Sequence, residues 1–295
     1  MKARSTFVAG HRGLVGSSVV RALAAAGEPE PIVRTRAEVD LLDRVAVTRF
    51  FAQEHPNAVF LAAARVGGIH ANNTLRWDFL YENLAIELNV ISAALEFGVE
   101  RLVFFGSSCV YPKLAPQPLR EEYLLGGPLE PTNEPYAVAK IAGLKLVEAA
   151  QSQHGRNWVS LMPTNLYGPG DNFDTEHSHV LPAMIRKFHD AKEELSRGRE
   201  ASVTLWGTGS PLREFLHVDD LARAAVSMLG NSVTGVLNVG FGTDVSIRQL
   251  AELVAGVVGY TGRVIWDESK PDGTPRKLLD SSRILATGWT PQIRL

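Results

Sequence analysis

A short apolar run, Thr6–Ala9, leads into three glycines spaced three apart, Gly10, Gly13 and Gly16, with a helical pattern beginning at Leu14. No other feature of the chain limits its fold as strongly. Glycine permits the tight turn that sets a helix directly behind a strand, and it lets a ligand approach the backbone closely. The first turn of that helix leaves N–H groups unpaired and presents the positive end of a dipole, which together suit a pyrophosphate. The spacing is G-x-x-G-x-x-G instead of the commoner G-x-G-x-x-G, so the segment also reads as a plain strand-to-helix turn. Its position between a strand and a helix near the N-terminus favours the dinucleotide reading.

The same alternation continues along the chain. Apolar runs at Pro31–Arg34, Ala58–Ala64, Arg101–Phe105 and Trp158–Pro163 predict strands, and Leu14–Ala26, Leu84–Phe97 and Tyr136–Gln153 predict helices. Strands alternating with helices imply right-handed βαβ units, hence an α/β fold with a Rossmann-type doubly wound parallel sheet. From Tyr167 to Pro211 the chain is polar and rich in Gly, Pro and His, with one helical stretch at Val180–Glu193. Long excursions from an α/β core usually carry binding function. Val218–Leu229 and Val236–Val239 return to the core pattern, and Ile247–Val258 belongs to a second unit. The expected organisation is a dinucleotide-binding domain from 1–166 and 212–243, with a smaller discontinuous α/β substrate lobe from 167–211 and 244–295.

Bulk properties remove several alternatives. A net charge of -2 over 295 residues argues against a nucleic-acid surface. One cysteine cannot form an internal disulfide, so a reducing cytoplasm is the expected location. No apolar segment precedes Thr6 and no run approaches the ~20 residues of a membrane span, so neither a secretory signal nor a membrane partner is expected. The histidines lack a metal-ligand spacing, and no metal is expected.

The second predicted strand bears on which dinucleotide binds. An NAD site usually ends that strand with an acid for the ribose 2′-hydroxyl. Here it ends Arg34-Thr35-Arg36. Two guanidinium groups suit a 2′-phosphate, with Arg12 in the glycine turn as a third, or they are ordinary solvated charges. The Asp40–Asp43 segment either brings a carboxylate near the adenine or caps the helix that follows.

Tyr136 and Lys140 are four apart and share one face of a helix. An ammonium beside the phenol is expected to lower its pKa from about 10. Ser107, at the end of the Arg101–Phe105 strand, supplies a hydroxyl to polarise a carbonyl next to the tyrosine. Cys109 follows two residues later. A Y-x-x-x-K pair alone is common on helix surfaces; the serine and the glycine turn give it meaning.

These stretches, with Ala62–Ile69, Gly106–Pro112, Glu130–Ala137, Met162–Pro169, Arg213–Asp220 and Lys270–Lys277, resemble the extended short-chain dehydrogenase/reductases that act on nucleotide sugars. Ser107-Ser108-Cys109, Ser178-His179-Val180 and the Lys-Pro-Asp-Gly-Thr-Pro-Arg-Lys run narrow the resemblance to the GDP-L-fucose synthase family, the 3,5-epimerase/4-reductases of GDP-4-keto-6-deoxy-mannose. The resemblance implies NADP(H) as cofactor, a GDP-sugar as substrate and a homodimer paired through the Leu84–Phe97 and Tyr136–Gln153 helices. It implies Cys109 as base and His179 as acid for the two inversions, with Ser107, Tyr136 and Lys140 serving the reduction. Cys109 also reads as a small buried residue and His179 as a hydrogen-bonded structural one. The implied cofactor contacts are Gly10, His11, Arg12, Gly13, Leu14, Val15, Gly16, Arg36, Asp40, Leu41, Gly106, Ser107, Lys140, Pro163, Asn165, Leu166 and His179. The implied substrate contacts are Lys187, Trp206, Arg213 and Asp272, although Trp206 also reads as core packing and Pro271-Asp272-Gly273 as a plain turn. Arg65 departs from the family pattern, which often has lysine there.

Overall fold

A computed structural model describes residues 5–174, 178–270 and 272–295. The strands are β1 Thr6–Ala9, β2 Ala58–Leu61, β3 Arg101–Phe105, β4 Val159–Pro163, β5 Asn165–Tyr167, β6 Ser202–Trp206, β7 Leu212–His217, β8 Gly235–Val239, β9 Asp244–Ser246, β10 Arg263–Asp267 and β11 Arg276–Lys277. The helices are α1 Leu14–Ala25, α2 Arg44–Glu54, α3 Ile69–Thr74, α4 Arg76–Glu96, α5 Glu134–His154, α6 Val180–Ser196, α7 Val218–Ser227, α8 Ile247–Val258 and α9 Ser282–Leu285.

Strands β1, β2, β3, β4 and β8 form one parallel sheet in that order, with Thr6 opposite Ala58, Ala58 opposite Arg101 and Val159 opposite Gly235. Side chains alternate across it. Phe7, Val59, Leu102 and Phe104 pack on one face with Phe51, Val90 and Leu144 from α2, α4 and α5. Val8, Phe60, Val103 and Leu161 pack on the other with Val19, Leu23 and Leu221 from α1 and α7. A sheet covered on both faces reads as continuous apolar runs, which is why its strands were legible. Each fully buried Leu, Val or Phe here stabilises the fold by about 1.5–3 kcal/mol.

The expected strand at Pro31–Arg34 is reduced to a single parallel bridge between Ile32 and Phe7. Ile32 N–H donates to Thr6 O at 2.7 Å, and Ile32 O accepts from Val8 N–H at 3.0 Å. Pro31 has no N–H to give, and the chain turns away at Thr35, so the ladder stops there. Of the run expected at Ala58–Ala64, the strand ends at Leu61; Ala62 N–H still donates to Ala9 O at 3.1 Å, and Ala63 lies against Gly10.

A third core joins Leu181, Met184 and Phe188 of α6, Val203 and Leu205 of β6, and Leu250 and Val254 of α8. Strands β5, β7, β9 and β11 form a second small sheet, and β6 pairs with β10. Helix α8 starts with a capping box, Ser246 with Gln249, and ends on left-handed Gly259. Near the C-terminus, Ile284 and Trp289 pack on the α1/α7 face of the large sheet, away from the lobe residues with which the sequence reading grouped them.

Candidate active site

The C-terminal ends of β1 and β3 set the site. Gly10 follows β1 at φ 87°, and a Cβ on it would lie 2.7 Å from Ala63 N. A Cβ on Gly16 would lie 2.1 Å from Gly10 O, so α1 packs against its own entry turn only as glycine. Gly13, the N-cap of α1, offers no side-chain cap, and the first-turn N–H groups stay open to an anion. His11, Leu14 and Val15 complete the turn. This bare backbone cradle fits a dinucleotide pyrophosphate.

The two arginines of the predicted second strand part company. Arg34 ion-pairs with Glu54, donates to its neighbour Val33 O at 2.8 Å, and lies over the Phe50 ring. Arg36 is exposed and pairs with Asp40 at 3.2 Å; Arg12 is also exposed. Of the two carboxylates, Asp43 is the cap: it accepts from Val45 and Ala46 N–H at the start of α2. Leu41 O accepts from Asn89 Nδ2 at 2.9 Å, which ties this loop to α4. Arg65, just beyond β2, is engaged by Glu82 at 2.5 Å and Asp78 at 3.4 Å.

Past β3 the chain runs close against β4: a Cβ on Gly106 would meet Met162 Sδ at 2.3 Å. Ser107 then caps a turn at Ser108–Val110 by accepting from Cys109 N–H at 3.2 Å. Cys109 is half-buried, and its Sγ receives Asn133 Nδ2 at 3.3 Å and Lys277 Nζ at 3.5 Å. Pro135 in the first turn of α5 fixes where that helix starts, which brings Tyr136 and Lys140 to the same place. Lys140 is 2% exposed; its Nζ donates to Phe105 O at 3.0 Å and stands 3.0 Å from Glu87 Oε1.

This arrangement reverses one expectation. The Tyr136 phenol is pushed above its ordinary range, first by burial and then by Cys109 and Glu87, with only the Ser107 hydroxyl hydrogen bond opposing. The lysine that was expected to lower it stands 3.0 Å from Glu87 Oε1. The phenol therefore keeps its proton.

His179 is the N-cap of α6 without a side-chain cap bond. The residue is exposed, yet the surrounding protein, and then Lys277, push its pKa down. Lys277 is thus the common neighbour of Cys109 and His179. Arg213 donates to Leu212 O at 2.8 Å; burial lowers its pKa while Cys109 and Asp272 raise it. Lys187 donates to Thr204 O at 3.1 Å. Trp206 is 52% exposed with Lys270 Nζ 5.7 Å from its ring centroid, so it is not a core residue. The Asp272 carboxylate accepts from Thr208 N–H and Oγ1–H, both at 2.8 Å, and so braces the Gly207–Ser210 turn. Pro271, part of the expected turn, lies outside the described residues. Pro163 ends β4, and Asn165 and Leu166 lie in β5, where Asn165 Nδ2 donates to Glu214 O at 2.8 Å.

Sequence reasoning missed Glu87, Asn133 and the contact made by Lys277. Glu87 had a signal: it interrupts the buried face Phe79, Asn83, Val90, Ala94 of α4. Asn133 and Lys277 lay inside quoted motifs, but nothing in their spacing joins them to Cys109 across 24 and 168 residues.

Residues 6–240 match the NAD dependent epimerase/dehydratase family. Over its whole length the chain is 58% identical to the probable GDP-L-fucose synthase 1 of Oryza sativa subsp. japonica, covering 89% of that protein. It is 52% identical to the GDP-L-fucose synthase of Escherichia coli (strain K12), covering 100% of this chain and 94% of that one. Among solved structures it is similar to a GDP-L-fucose synthetase from Naegleria fowleri bound to NADP, at TM-score 0.87 and 26% identity, covering 100% of this chain and 91% of that one. A C. jejuni GDP-6-OMe-4-keto-L-xylo-heptose reductase superposes at TM-score 0.91 and 37% identity, covering 100% and 95%. The glycine turn, the Ser107–Tyr136–Lys140 group and this full-length identity lead to one conclusion: the chain belongs to the NAD dependent epimerase/dehydratase family, on the branch whose members carry the name GDP-L-fucose synthase.

Proposed function

We propose that this enzyme epimerises GDP-4-keto-6-deoxy-D-mannose at C3 and C5 and reduces it at C4, with NADPH, to GDP-L-fucose. The observation that carries the reading is the thiol of Cys109, gripped by Asn133 and Lys277 beside the Tyr136 phenol. A simple reductase has no task for that thiol.

The C4 ketone acidifies the protons on C3 and C5, because their loss gives an enolate. Cys109 takes the proton from one face of the ring and His179 returns one to the other. Ser107 and Tyr136 hydrogen-bond O4 as negative charge grows there. NADPH, when bound, supplies the hydride for C4. Tyr136 gives its proton to O4, a task suited to a phenol that burial keeps protonated. Lys140 orients Tyr136 and the nicotinamide ribose. The backbone from Gly10 to Gly16 holds the pyrophosphate, and Arg12 and Arg36 grip the 2′-phosphate. Asp40, Leu41, Gly106, Pro163, Asn165, Leu166 and His179 line the rest of the cofactor cleft. Arg213 and Lys187 hold the substrate diphosphate, Trp206 stacks on the base, and Asp272 keeps the turn beside them in place.

The dinucleotide-binding part is 1–166 with 212–243, joined by the C-terminal segment carrying Ile284 and Trp289, and 167–211 with the preceding part of 244–295 forms the substrate lobe. The enzyme works as a cytoplasmic homodimer. Support for the dimer comes from exposed apolar side chains on α4 and α5: Trp77 stacked on Tyr81, with Leu88 and Val138. Among the described residues no helix is long and apolar enough to cross a membrane.

The test follows NADPH oxidation with GDP-4-keto-6-deoxy-D-mannose and resolves the product by NMR, for wild type and Cys109→Ser. GDP-L-fucose from wild type, and a C4-reduced product without inversion from Cys109→Ser, is the expected result. No turnover by folded wild type would overturn the substrate assignment, and unchanged epimerisation in Cys109→Ser would overturn the role of the thiol.

A further inference from the structure

Glu87 lies beside the Ser107–Tyr136–Lys140 group, and the reaction above gives it no task. It is 1% exposed, and Lys140 Nζ stands 3.0 Å from its Oε1. That is ion-pair distance, although neither carboxylate oxygen makes a well-aligned hydrogen bond. The packing is cut to admit the carboxylate: α5 carries glycine at 143, where a Cβ would lie 2.5 Å from Glu87 Oε2 and 2.6 Å from Phe104 Cζ. An ion pair buried this deeply is weak evidence of stabilisation. Its placement points to the site instead.

An ammonium has three N–H donors. Phe105 O takes one from Lys140 and Glu87 faces a second, which leaves one for the site. Lys140 Nζ also stands 6.0 Å from the Tyr136 ring centroid. An uncompensated cation there would favour the phenolate.

We propose that Glu87 is a positioning residue for the reduction: its carboxylate fixes and neutralises the Lys140 ammonium, so that Tyr136 stands in the site as a neutral phenol ready to protonate O4. This rests on the roles given above to Tyr136 and Lys140. The groups that face Tyr136 are Glu87 from α4, Lys140 from its own helix, and Ser107 and Cys109 from the turn after β3. Cys109 is faced in turn by Lys277 and Asn133. Burial raises the Glu87 carboxyl, while Lys140 and the Gly143 backbone draw it back down. The proton on Tyr136 passes to O4 and water restores it; NADPH, when bound, supplies the hydride for C4. Exchange at carbon is left to Cys109 and His179, so the acid of the reduction is not spent in the epimerisation.

Glu87→Gln keeps the shape and removes the charge; Glu87→Asp keeps the charge but withdraws it by one methylene. Three readouts apply: the pH profile of kcat, NADPH affinity by fluorescence, and the ultraviolet phenolate band of the cofactor-free protein with a Tyr136→Phe variant subtracted. In Glu87→Gln the alkaline limb of kcat is expected to move down by roughly one to three pH units, with the phenolate band appearing over the same range. In Glu87→Asp both move in the same direction by less, and NADPH binding weakens in Glu87→Gln as Lys140 loses its anchor. A limb and phenolate titration at the wild-type position in either folded variant overturns the proposal. So does a uniform fall in kcat at every pH, the mark of a merely structural contact. If Glu87→Gln does not fold, the Glu87→Asp profile decides. Tyr136→Phe separates the two readings. Wild-type reduction by Tyr136→Phe removes the assignment of the acid itself. An inactive Tyr136→Phe beside an unshifted Glu87→Gln removes the Glu87 inference alone.

Discussion

Replacing Glu214 tests how the substrate lobe is held to the large sheet. Glu214 is fully buried in β7, and its carboxylate accepts from Gly242 N–H at 2.7 Å and Leu279 N–H at 3.0 Å. Its own carbonyl accepts from Thr164 and Asn165. One side chain thus joins the loop after β8 to the end of β11, between Arg213 and the strand carrying Lys277. In Glu214→Ala the buried Leu279 N–H and the part-buried Gly242 N–H lose a charged acceptor. At about 1.5–3 kcal/mol each the gross loss is about 3–6 kcal/mol. Part is recovered because the carboxylate no longer has to be buried, so a net loss of about 2–5 kcal/mol is expected. Glu214→Gln keeps one acceptor oxygen and should lose about half as much. Urea unfolding of the cofactor-free protein measures both, with an unchanged m-value as the sign that only stability moved. The pH dependence has a definite sign. Burial raises the carboxyl above its unfolded value, so the folded state holds the proton over the window between the two. Stability therefore falls as pH rises through that window, and Glu214→Gln should abolish the slope. A loss below about 1 kcal/mol in Glu214→Ala, against the 1–3 kcal/mol of even one unsatisfied buried group, would refute the reasoning.

Gly16→Ala places a methyl 2.1 Å from Gly10 O; α1 must shift from its turn, and NADPH affinity measured by fluorescence should fall by at least roughly tenfold while the fold persists. Arg101, buried at the far end of β3 with its pKa lowered by burial to about 10, donates to Met228 O, Asn157 O and Val233 O. Arg101→Met should cost about 3 kcal/mol or more, lowering Tm by several degrees without changing the Michaelis constants; a changed KM with an unchanged Tm would contradict this. The lowered pKa of His179 means that the unfolded chain takes up its proton first, so stability should fall as pH drops below about 6.5 towards the folded value, and His179→Gln should flatten that slope in acid denaturation. Asp43→Ala removes the cap of α2 and should cost about 1 kcal/mol by urea unfolding, with no effect on turnover.

How much of this was legible depended on whether a signal was local. The strands of the large sheet are buried on both faces, so Thr6–Ala9 and Arg101–Phe105 stand out as apolar runs. The lobe strands were not expected. In β6 only Val203 and Leu205 face the core while Ser202, Thr204 and Trp206 face out, and β5, β9 and β11 are too short to show a period. The Tyr136–Lys140 spacing was readable because both lie on one helix. The protonation of Tyr136 was not, because it follows first from burial among several elements, then from the charges of Cys109 and of Glu87, the latter 49 residues earlier on another helix.

By itself the sequence determined the elements that depend on neighbours within a few positions: the turn that only glycine can make, the alternation of strand and helix, and the helix carrying the tyrosine–lysine pair. Only the tertiary structure decided which charges meet. It gave Arg34 to Glu54, brought Lys277 to Cys109, and set Glu87 against Lys140 in the gap that Gly143 leaves. Backbone conformation answers to local sterics, whereas the protonation of a group answers to every charge and every layer of protein within several ångströms of it, wherever in the chain those come from.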